Sequence, residues 1–207
     1  FDACLWTAPD GRLFLFYAQA DASDKLHDGR WGVWHTICRD PARADSPWTA
    51  PVRICDGIMM NKPTVLRDGT WLLPVAMWHD KDHGAGVVRS RDDGKTFDWI
   101  GGAGDGGMEH MIVEREDGSL WMLMRRGEGM AESVSRDGGV TWSETTTASI
   151  DGPGSRFFIR RLRSGRLLLV NHVGFAREGN RFLDWRSHLT ALLSDDDGKT
   201  WPHQLLL

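Results

Sequence analysis

The feature that most constrains the fold is an eight-residue pattern, S-x-D-x-G-x-T-(W/F), that occurs three times without a mismatch. The copies start at Ser90, Ser135 and Ser194. The aspartate at the third position can accept hydrogen bonds from the backbone of its own turn, and the glycine at the fifth position tolerates a positive φ. The threonine and aromatic residue that follow restart a strand. Each copy is termed an Asp box, and three boxes in 207 residues indicate a repeated hairpin.

The residues that define the three Asp boxes are predicted to have a structural role. They are Ser90, Asp92, Gly94, Thr96 and Phe97 in the first box, Ser135, Asp137, Gly139, Thr141 and Trp142 in the second, and Ser194, Asp196, Gly198, Thr200 and Trp201 in the third.

A second series of turns alternates with the Asp boxes. Gly11, Gly69, Gly118 and Gly165 each follow a polar residue and precede an apolar or alternating run, and they are 58, 49 and 47 residues apart. Asp-Gly between two such runs is a strong hairpin signal, and this spacing suits a blade of four short strands. We therefore predict an all-β fold of about four β-propeller blades.

The predicted blades span residues 1–55, 56–105, 106–150 and 151–207 and together form one partial propeller domain. The sequence begins in strand-like residues and stops just after the third Asp box, which is expected of a piece of a larger propeller. No helical periodicity of useful length is present.

Composition excludes several functional classes. A net charge of −4 argues against a nucleic-acid partner, whose phosphates require a basic surface. No apolar run approaches the roughly 18 residues needed to span a bilayer. The three cysteines, at positions 4, 38 and 55, lack C-x-x-C spacing and indicate neither a zinc site nor a disulfide framework. No metal and no other cofactor is predicted.

Hairpin geometry places a group of charged residues on the face opposite the Asp boxes. In the third blade the turn is centred on Asp117-Gly118, so counting back along the first strand gives Glu109 at the far end. Counting forward along the second strand brings Arg125 and Arg126 to the same end, with Arg126 directly opposite Glu109.

The other blades extend this polar group. Arg186 opens the third strand of the fourth blade, and the same count puts Asp2, Asn61 with Lys62, and Arg156 at the matching start of the first strand. Converging guanidinium groups suit a planar carboxylate, because each offers two parallel donors. The competing interpretation is that these are solvated arginines and an ordinary cross-strand pair at Glu109.

These residues resemble the non-viral exo-sialidases (neuraminidases), Asp-box proteins built on a six-bladed propeller. Many propellers have Asp boxes, so two other segments are more specific. Residues 109–125 resemble the sialidase pattern of a glutamate, an apolar strand, D-G-x-L and an arginine. Residues 186–194, which lead into the third Asp box, are similar to the segment that bears the last arginine of the sialidase triad.

The resemblance implies a glycoside hydrolase that removes sialic acid, or a related sugar acid, from acidic glycans with retention. Glu109 corresponds to the base partner of a tyrosine nucleophile. Two of the three arginines that bind the substrate carboxylate correspond to Arg125 and Arg186, and Arg125 is preferred over Arg126. In that family the tyrosine nucleophile follows the segment that matches Trp201, and a first arginine and an aspartate acid/base lie in an early blade. The resemblance therefore implies that these three residues lie outside this sequence. Tyr17 lies in mid-strand and is interpreted as a packing residue. A secreted or periplasmic location is favoured by the resemblance only.

Some residues do not match this family. Met60-Asn61-Lys62-Pro63 is not a sialidase hallmark and indicates a divergent subgroup. Trp78, His79 and His83 are placed to line a sugar subsite or to pack at the rim.

Two other functions remain open. One is a lyase of uronic-acid polysaccharides or a rhamnosidase-like hydrolase, in which a histidine such as His172 or His79 moves the proton. The other is a glycan-binding propeller without catalysis.

Overall fold

The protein is described by a computed structural model that covers residues 1–20, 30–77, 84–104, 108–127, 129–150, 152–173 and 186–207. The backbones of two short strands at residues 177–178 and 181–182 complete the described part. The secondary structure of these residues is β-strand and turn, so the all-β prediction is confirmed. Among the described residues, no helix has the length and apolarity that a membrane crossing requires.

The strands form four antiparallel sheets, each assembled in chain order. Sheet 1 contains β1 (Cys4–Thr7), β2 (Leu13–Ala18), β3 (Val33–Cys38) and β4 (Val52–Cys55). Sheet 2 contains β5 (Ile58–Met59), β6 (Thr64–Val65), β7 (Trp71–Ala76), β8 (Ala85–Ser90) and β9 (Asp98–Ala103).

Sheet 3 contains β10 (Met108–Glu114), β11 (Leu120–Arg125), β12 (Met130–Ser135) and β13 (Thr146–Thr147). Sheet 4 begins with β14 (Phe158–Arg161) and β15 (Leu167–His172). A separate pair, β16 (Arg177–Glu178) and β17 (Arg181–Phe182), precedes its last two strands, β18 (Leu189–Ser194) and β19 (His203–Leu206).

Clusters of apolar side chains from the described residues fill the space between consecutive sheets. Between sheets 1 and 2, Phe14 and Trp71 are buried in one cluster. Between sheets 2 and 3, Leu72 and Met122 belong to a second, and a third cluster follows between sheets 3 and 4. Sheets that stack face to face in chain order are the architecture of a β-propeller, and the four sheets correspond to about four blades. The predicted blade boundaries at residues 55, 105 and 150 stay a prediction.

The first turn of each blade has the same hydrogen bonds. In sheet 3 the Gly118 amide donates to the Arg115 carbonyl at 3.0 Å, and the Arg115 amide donates to Ser119 at 2.8 Å. Gly118 has a φ of 83°. This is a three-residue loop that ends in a left-handed glycine, whereas the sequence count assumed a two-residue turn.

The longer loop shifts the register by one residue. Glu114 pairs with Leu120, and at the other end of the two strands Met108 pairs with Arg125. Arg125, and not Arg126, therefore lies beside the start of β10.

The Asp boxes join the last two strands of sheets 2, 3 and 4. In the second box, Asp137 accepts hydrogen bonds from the Thr141 hydroxyl at 2.6 Å and the Thr141 amide at 2.9 Å. The Ser135 hydroxyl donates to the same carboxylate at 2.8 Å and accepts from the Gly139 amide at 2.9 Å. The Thr141 hydrogen bonds lower the pKa of Asp137 to about 2.

The other two boxes repeat these contacts, and all three have a second left-handed residue. The fourth position has a φ of 58° at Asp93, 74° at Gly138 and 65° at Asp197, next to the glycine at the fifth. The strand after the aromatic residue starts later than expected, at Thr146 in the second box and at His203 in the third.

Candidate active site

A polar cluster lies at the ends of the inner strands that are remote from the Asp boxes. Asp2 precedes β1, Asn61 lies between β5 and β6, Glu109 is the second residue of β10, and Arg156 precedes β14. Each comes from a different sheet, and hydrogen bonds and ion pairs join all four. The structure thus brings together four residues that the hairpin count placed on one face.

Glu109 is the buried centre of this cluster, with 7% of its surface exposed. Its Oε1 accepts a hydrogen bond from Arg125 Nη1 at 2.7 Å and lies 3.4 Å from Arg156 Nε. Its Oε2 is buried and has no hydrogen-bond partner among the described residues. One carboxylate oxygen is held and the other is left for a further group.

Arg156 connects two carboxylates across the cluster. Its Nη2 donates to Asp2 Oδ1 at 2.6 Å while its Nε faces Glu109. Burial acts to lower the pKa of Arg156, but the hydrogen bond to Asp2 and the nearby Glu109 carboxylate outweigh it and raise that pKa. Arg156 therefore stays charged and bridges the first and third sheets.

Arg186 reaches the segment that carries Arg156. Its Nη2 donates to the Gly154 carbonyl at 3.3 Å, and its φ is 59°. Gly154 packs so closely on the end of β11 that a Cβ there would lie 3.0 Å from the Arg126 carbonyl oxygen. Arg186, which precedes β18 of sheet 4, and Arg126, which follows β11, thus both border this segment.

Asn61 and Lys62 are adjacent in sequence, but only Asn61 contacts the cluster. The Asn61 amide donates to the backbone carbonyls of Glu109 at 2.8 Å and of His110 at 3.1 Å. Lys62 is exposed and borders a different cavity, described below. Adjacent residues of an extended chain point to opposite sides, so Lys62 faces this cavity while Asn61 faces Glu109.

The sequence profile of the BNR repeat-like domain family matches residues 2–207. The chain belongs to this family. A curated sialidase of Bacteroides fragilis is 27% identical, over 77% of this chain and 32% of its own length. The chain thus spans about a third of that relative, and both matches confirm the resemblance inferred from the Asp boxes and the two arginine segments.

Solved structures show the same fold. The Hadza microbial sialidase Hz136 has a TM-score of 0.73 at 22% identity, over 100% of this chain and 45% of that one. The intramolecular trans-sialidase from Ruminococcus gnavus, solved with oseltamivir carboxylate, has a TM-score of 0.57 at 17% identity, over 84% of this chain and 39% of that one. This BNR repeat-like domain therefore has the propeller fold of the six-bladed sialidase type, as predicted.

The fold is also found outside sialidases. An α-L-arabinofuranosidase from Clostridium thermocellum has a TM-score of 0.55 at 12% identity, over 97% of this chain and 70% of that one. Similarity of fold alone does not assign a substrate, so the function of this BNR repeat-like domain depends on its site residues.

The His172 ring donates from Nδ1 to the Ser187 carbonyl at 2.8 Å, which anchors the end of β15. Trp78, His79 and His83 lie outside the described residues.

Sequence reasoning missed His110, which follows Glu109. Its ring is fully buried, and Nε2 donates to the Gly86 carbonyl of β8 at 2.7 Å. Burial lowers the pKa of His110 to about 4, so the ring is neutral near pH 7. The signal available in the sequence was a histidine inside the otherwise apolar run of β10.

A cavity of about 640 Å³ lies along the propeller axis, beyond the polar cluster. Inner strands of all four sheets line it, and Lys62, Arg160, Arg163, Glu114 and Glu116 are among its charged residues. Asp2, Glu109 and Arg156 do not line it, so the cavity and the cluster are separate features. Within the described ranges, no three His, Cys, Asp or Glu side chains are grouped to hold a metal ion.

Proposed function

We propose that the protein is a sialidase-like glycoside hydrolase that removes terminal sialic acid, or a related sugar acid, from glycans with retention. The observation that carries this proposal is the state of Glu109. Buried carboxylate oxygens are nearly always hydrogen-bonded, and exceptions mark sites with a further role. Glu109 has one oxygen held by Arg125 and one buried oxygen without a partner among the described residues.

This arrangement suits a general base that acts on another side chain. In the proposed reaction, Glu109 Oε2 takes the phenolic proton of a tyrosine as the phenolic oxygen attacks the anomeric carbon. The glycosidic C–O bond breaks, and the departing aglycone oxygen takes a proton from a general acid. Water then hydrolyses the tyrosyl-sugar bond, which gives net retention. Sialidases use a tyrosine nucleophile in place of a second carboxylate. A neutral phenol avoids the repulsion that a carboxylate nucleophile would meet from the carboxylate on the reacting carbon of the substrate.

The tyrosine is proposed to come from a part of the protein beyond residue 207. The single tyrosine of this sequence, Tyr17, is the fifth residue of β2 and pairs with Trp34 within sheet 1. It is not at the start of an inner strand, where the Glu109 cluster lies.

Arg125 and Arg186 are proposed to bind the substrate carboxylate. A guanidinium presents two parallel donors that match a carboxylate. Arg125 contacts Glu109, and Arg186 contacts the segment that leads to Arg156. Arg156 is the proposed third contact, since its side chain is 51% exposed although it also faces Asp2 and Glu109. Lys62 remains a predicted substrate contact.

The test is the release of free sialic acid from an α-linked sialoside by the full-length protein. We expect release, with the α-anomer of the free sugar formed first, as followed by proton NMR. No release at high enzyme concentration would overturn the sialidase proposal, and initial formation of the β-anomer would overturn retention.

A further inference from the structure

The backbone that carries Glu109 is irregular at this residue. On β10, Met108 pairs with Arg125 and Met111 pairs with Leu123, so Glu109 and His110 together face one residue of β11. This is a β-bulge, and Glu109 has a φ of 53°. Glycine normally occupies such a left-handed bulge position, and for other residues the conformation costs about 1–3 kcal/mol. Surrounding contacts must therefore hold Glu109 in it.

Two contacts from sheet 2 hold the bulge. Asn61 donates to the carbonyls of both bulge residues, Glu109 at 2.8 Å and His110 at 3.1 Å. The His110 ring in turn donates to the Gly86 carbonyl at 2.7 Å. The Asn61 side-chain nitrogen has two hydrogens, which suits it to these two successive carbonyls, one on each side of the His110 Cα.

Asn61 reaches β10 because the inner strand of sheet 2 is interrupted. Met59 pairs with Val75 and Thr64 pairs with Leu72, so residues 60–63 lie outside the ladder. Pro74, which has no amide hydrogen to donate to a neighbouring strand, is opposite this interruption. The unmatched segment Met60–Pro63 of the sequence is thus the segment that contacts the Glu109 bulge.

We propose that Asn61 is a positioning residue that holds Glu109 in its left-handed conformation and so directs the carboxylate to Arg125. This proposal rests on the proposed function for its effect on catalysis. It also changes the role predicted for Asn61 from the sequence, because an amide nitrogen engaged by two carbonyls acts on the base and not on the substrate.

The test uses two Asn61 variants and a matched control in the full-length protein. Asn61→Asp keeps the size of the side chain and turns a carboxylate oxygen toward two carbonyl oxygens. Asn61→Ala removes the donors without adding charge, and it serves if Asn61→Asp does not fold. The control is Thr64→Val, because Thr64 also donates from sheet 2 to β10, to the Ile112 carbonyl at 2.6 Å, but beyond the bulge.

We expect kcat for sialoside hydrolysis to fall about 10- to 100-fold in the Asn61 variants with KM nearly unchanged, since displacement of a catalytic group by about 1 Å has effects of this size. Thr64→Val should keep kcat within about twofold. An unchanged kcat in both Asn61 variants, an equal fall in Thr64→Val, or a raised KM with kcat unchanged would each contradict the proposal.

A crystal structure of Asn61→Asp, or of Asn61→Ala if the former does not fold, separates this proposal from the proposed function. We expect Glu109 to leave the left-handed region and its carboxylate to move away from Arg125. If the wild type releases no sialic acid, the proposed function fails, and positioning is then decided by this structure alone. Glu109 retained near a φ of 53° in the variant would overturn it.

Discussion

The two faces of the propeller fragment are built in opposite ways. On the Asp-box face, three blades repeat one set of contacts: serine to aspartate, aspartate to threonine, and glycine to serine. On the Glu109 face, each sheet contributes a different side chain to the contacts of the described residues. The aspartates of the first face are exposed or half-buried and accept several hydrogen bonds each. On the second face Glu109 is buried, and its Oε2 has no partner among the described residues.

This difference separates stability from function within one repeat. Repeated contacts with satisfied hydrogen bonds stabilise each blade in the same manner. Irregular contacts and an unpartnered buried oxygen are unfavourable locally and tend to persist at functional sites. Substitutions on the Glu109 face should therefore act mainly on activity, and those on the Asp-box face mainly on stability.

Glu109→Gln gives the largest expected effect. We expect the rate of sialic acid release to fall about 10²–10⁴-fold, the usual contribution of a general base, with little change in thermal stability. The exposed Glu144, near the Asp-box face, provides the control variant Glu144→Gln, which should retain activity. Equal activity of the two variants would mean that the two faces do not differ as proposed.

His110 should produce the largest pH dependence of stability. Its pKa of about 4 lies below the ordinary value of 6.5, so the unfolded state takes up a proton first as the pH falls. We expect a loss of about 3 kcal/mol between pH 6.5 and pH 4, and no further loss from this group below that range. His110→Gln retains a donor for Gly86, and its free energy of unfolding, measured in urea, should lack this loss between pH 6.5 and pH 4. If the free energies of unfolding of the variant and the wild type fell equally with pH, the proposal of a buried neutral ring would be contradicted.

Two glycines of sheet 4, one in its first turn and one in its Asp box, test whether the Asp box packs on the neighbouring sheet. Gly165 and Gly198 have φ values of 86° and 88°, but only Gly198 is crowded, since an added Cβ would lie 2.6 Å from the Trp121 ring of sheet 3. Gly165→Ala should cost about 1 kcal/mol through its backbone alone. Gly198→Ala should cost a further 1–3 kcal/mol or so from overpacking. Equal unfolding midpoints in urea would show that the box does not pack on the neighbouring sheet.

Asp137→Asn should give the smallest effect, and on stability only. The Thr141 and Ser135 hydrogen bonds lower the pKa of this carboxyl to about 2, so its contribution is present above pH 3.8 and is lost as the pH falls through 2. The variant should have a lower Tm than the wild type at pH 7 and should approach it near pH 2, while sialic acid release at pH 7 is unchanged. A loss of activity would contradict the separation of the faces.

Much of the fold could be predicted because its signals are local. The Asp boxes and the turn glycines each specify a hairpin within a few residues, and their spacing specifies blades. Counting strands from these turns was enough to bring Asp2, Asn61, Glu109 and Arg156 to one face.

The details of the site could not be predicted, because they depend on exceptions to regular strand geometry. A three-residue loop moved the register by one residue and exchanged Arg126 for Arg125 beside β10. The bulge at Glu109 has no signal in the sequence, since the left-handed position is occupied by glutamate instead of glycine. The buried ring of His110 and the interruption at Met60–Pro63 depend on contacts between sheets, which a count along one hairpin does not include.

The ion pair between Asp2 and Arg156 has a consequence for the order of folding. Its partners are 154 residues apart in sequence, whereas each blade closes through contacts between neighbouring strands. Contacts of long sequence separation form slowly, because loop-closure entropy must be overcome first. We therefore expect the blades to gain their strands before this pair joins the first sheet to the fourth. In refolding experiments on the full-length protein, sialic acid release should consequently recover later than the far-ultraviolet circular dichroism signal.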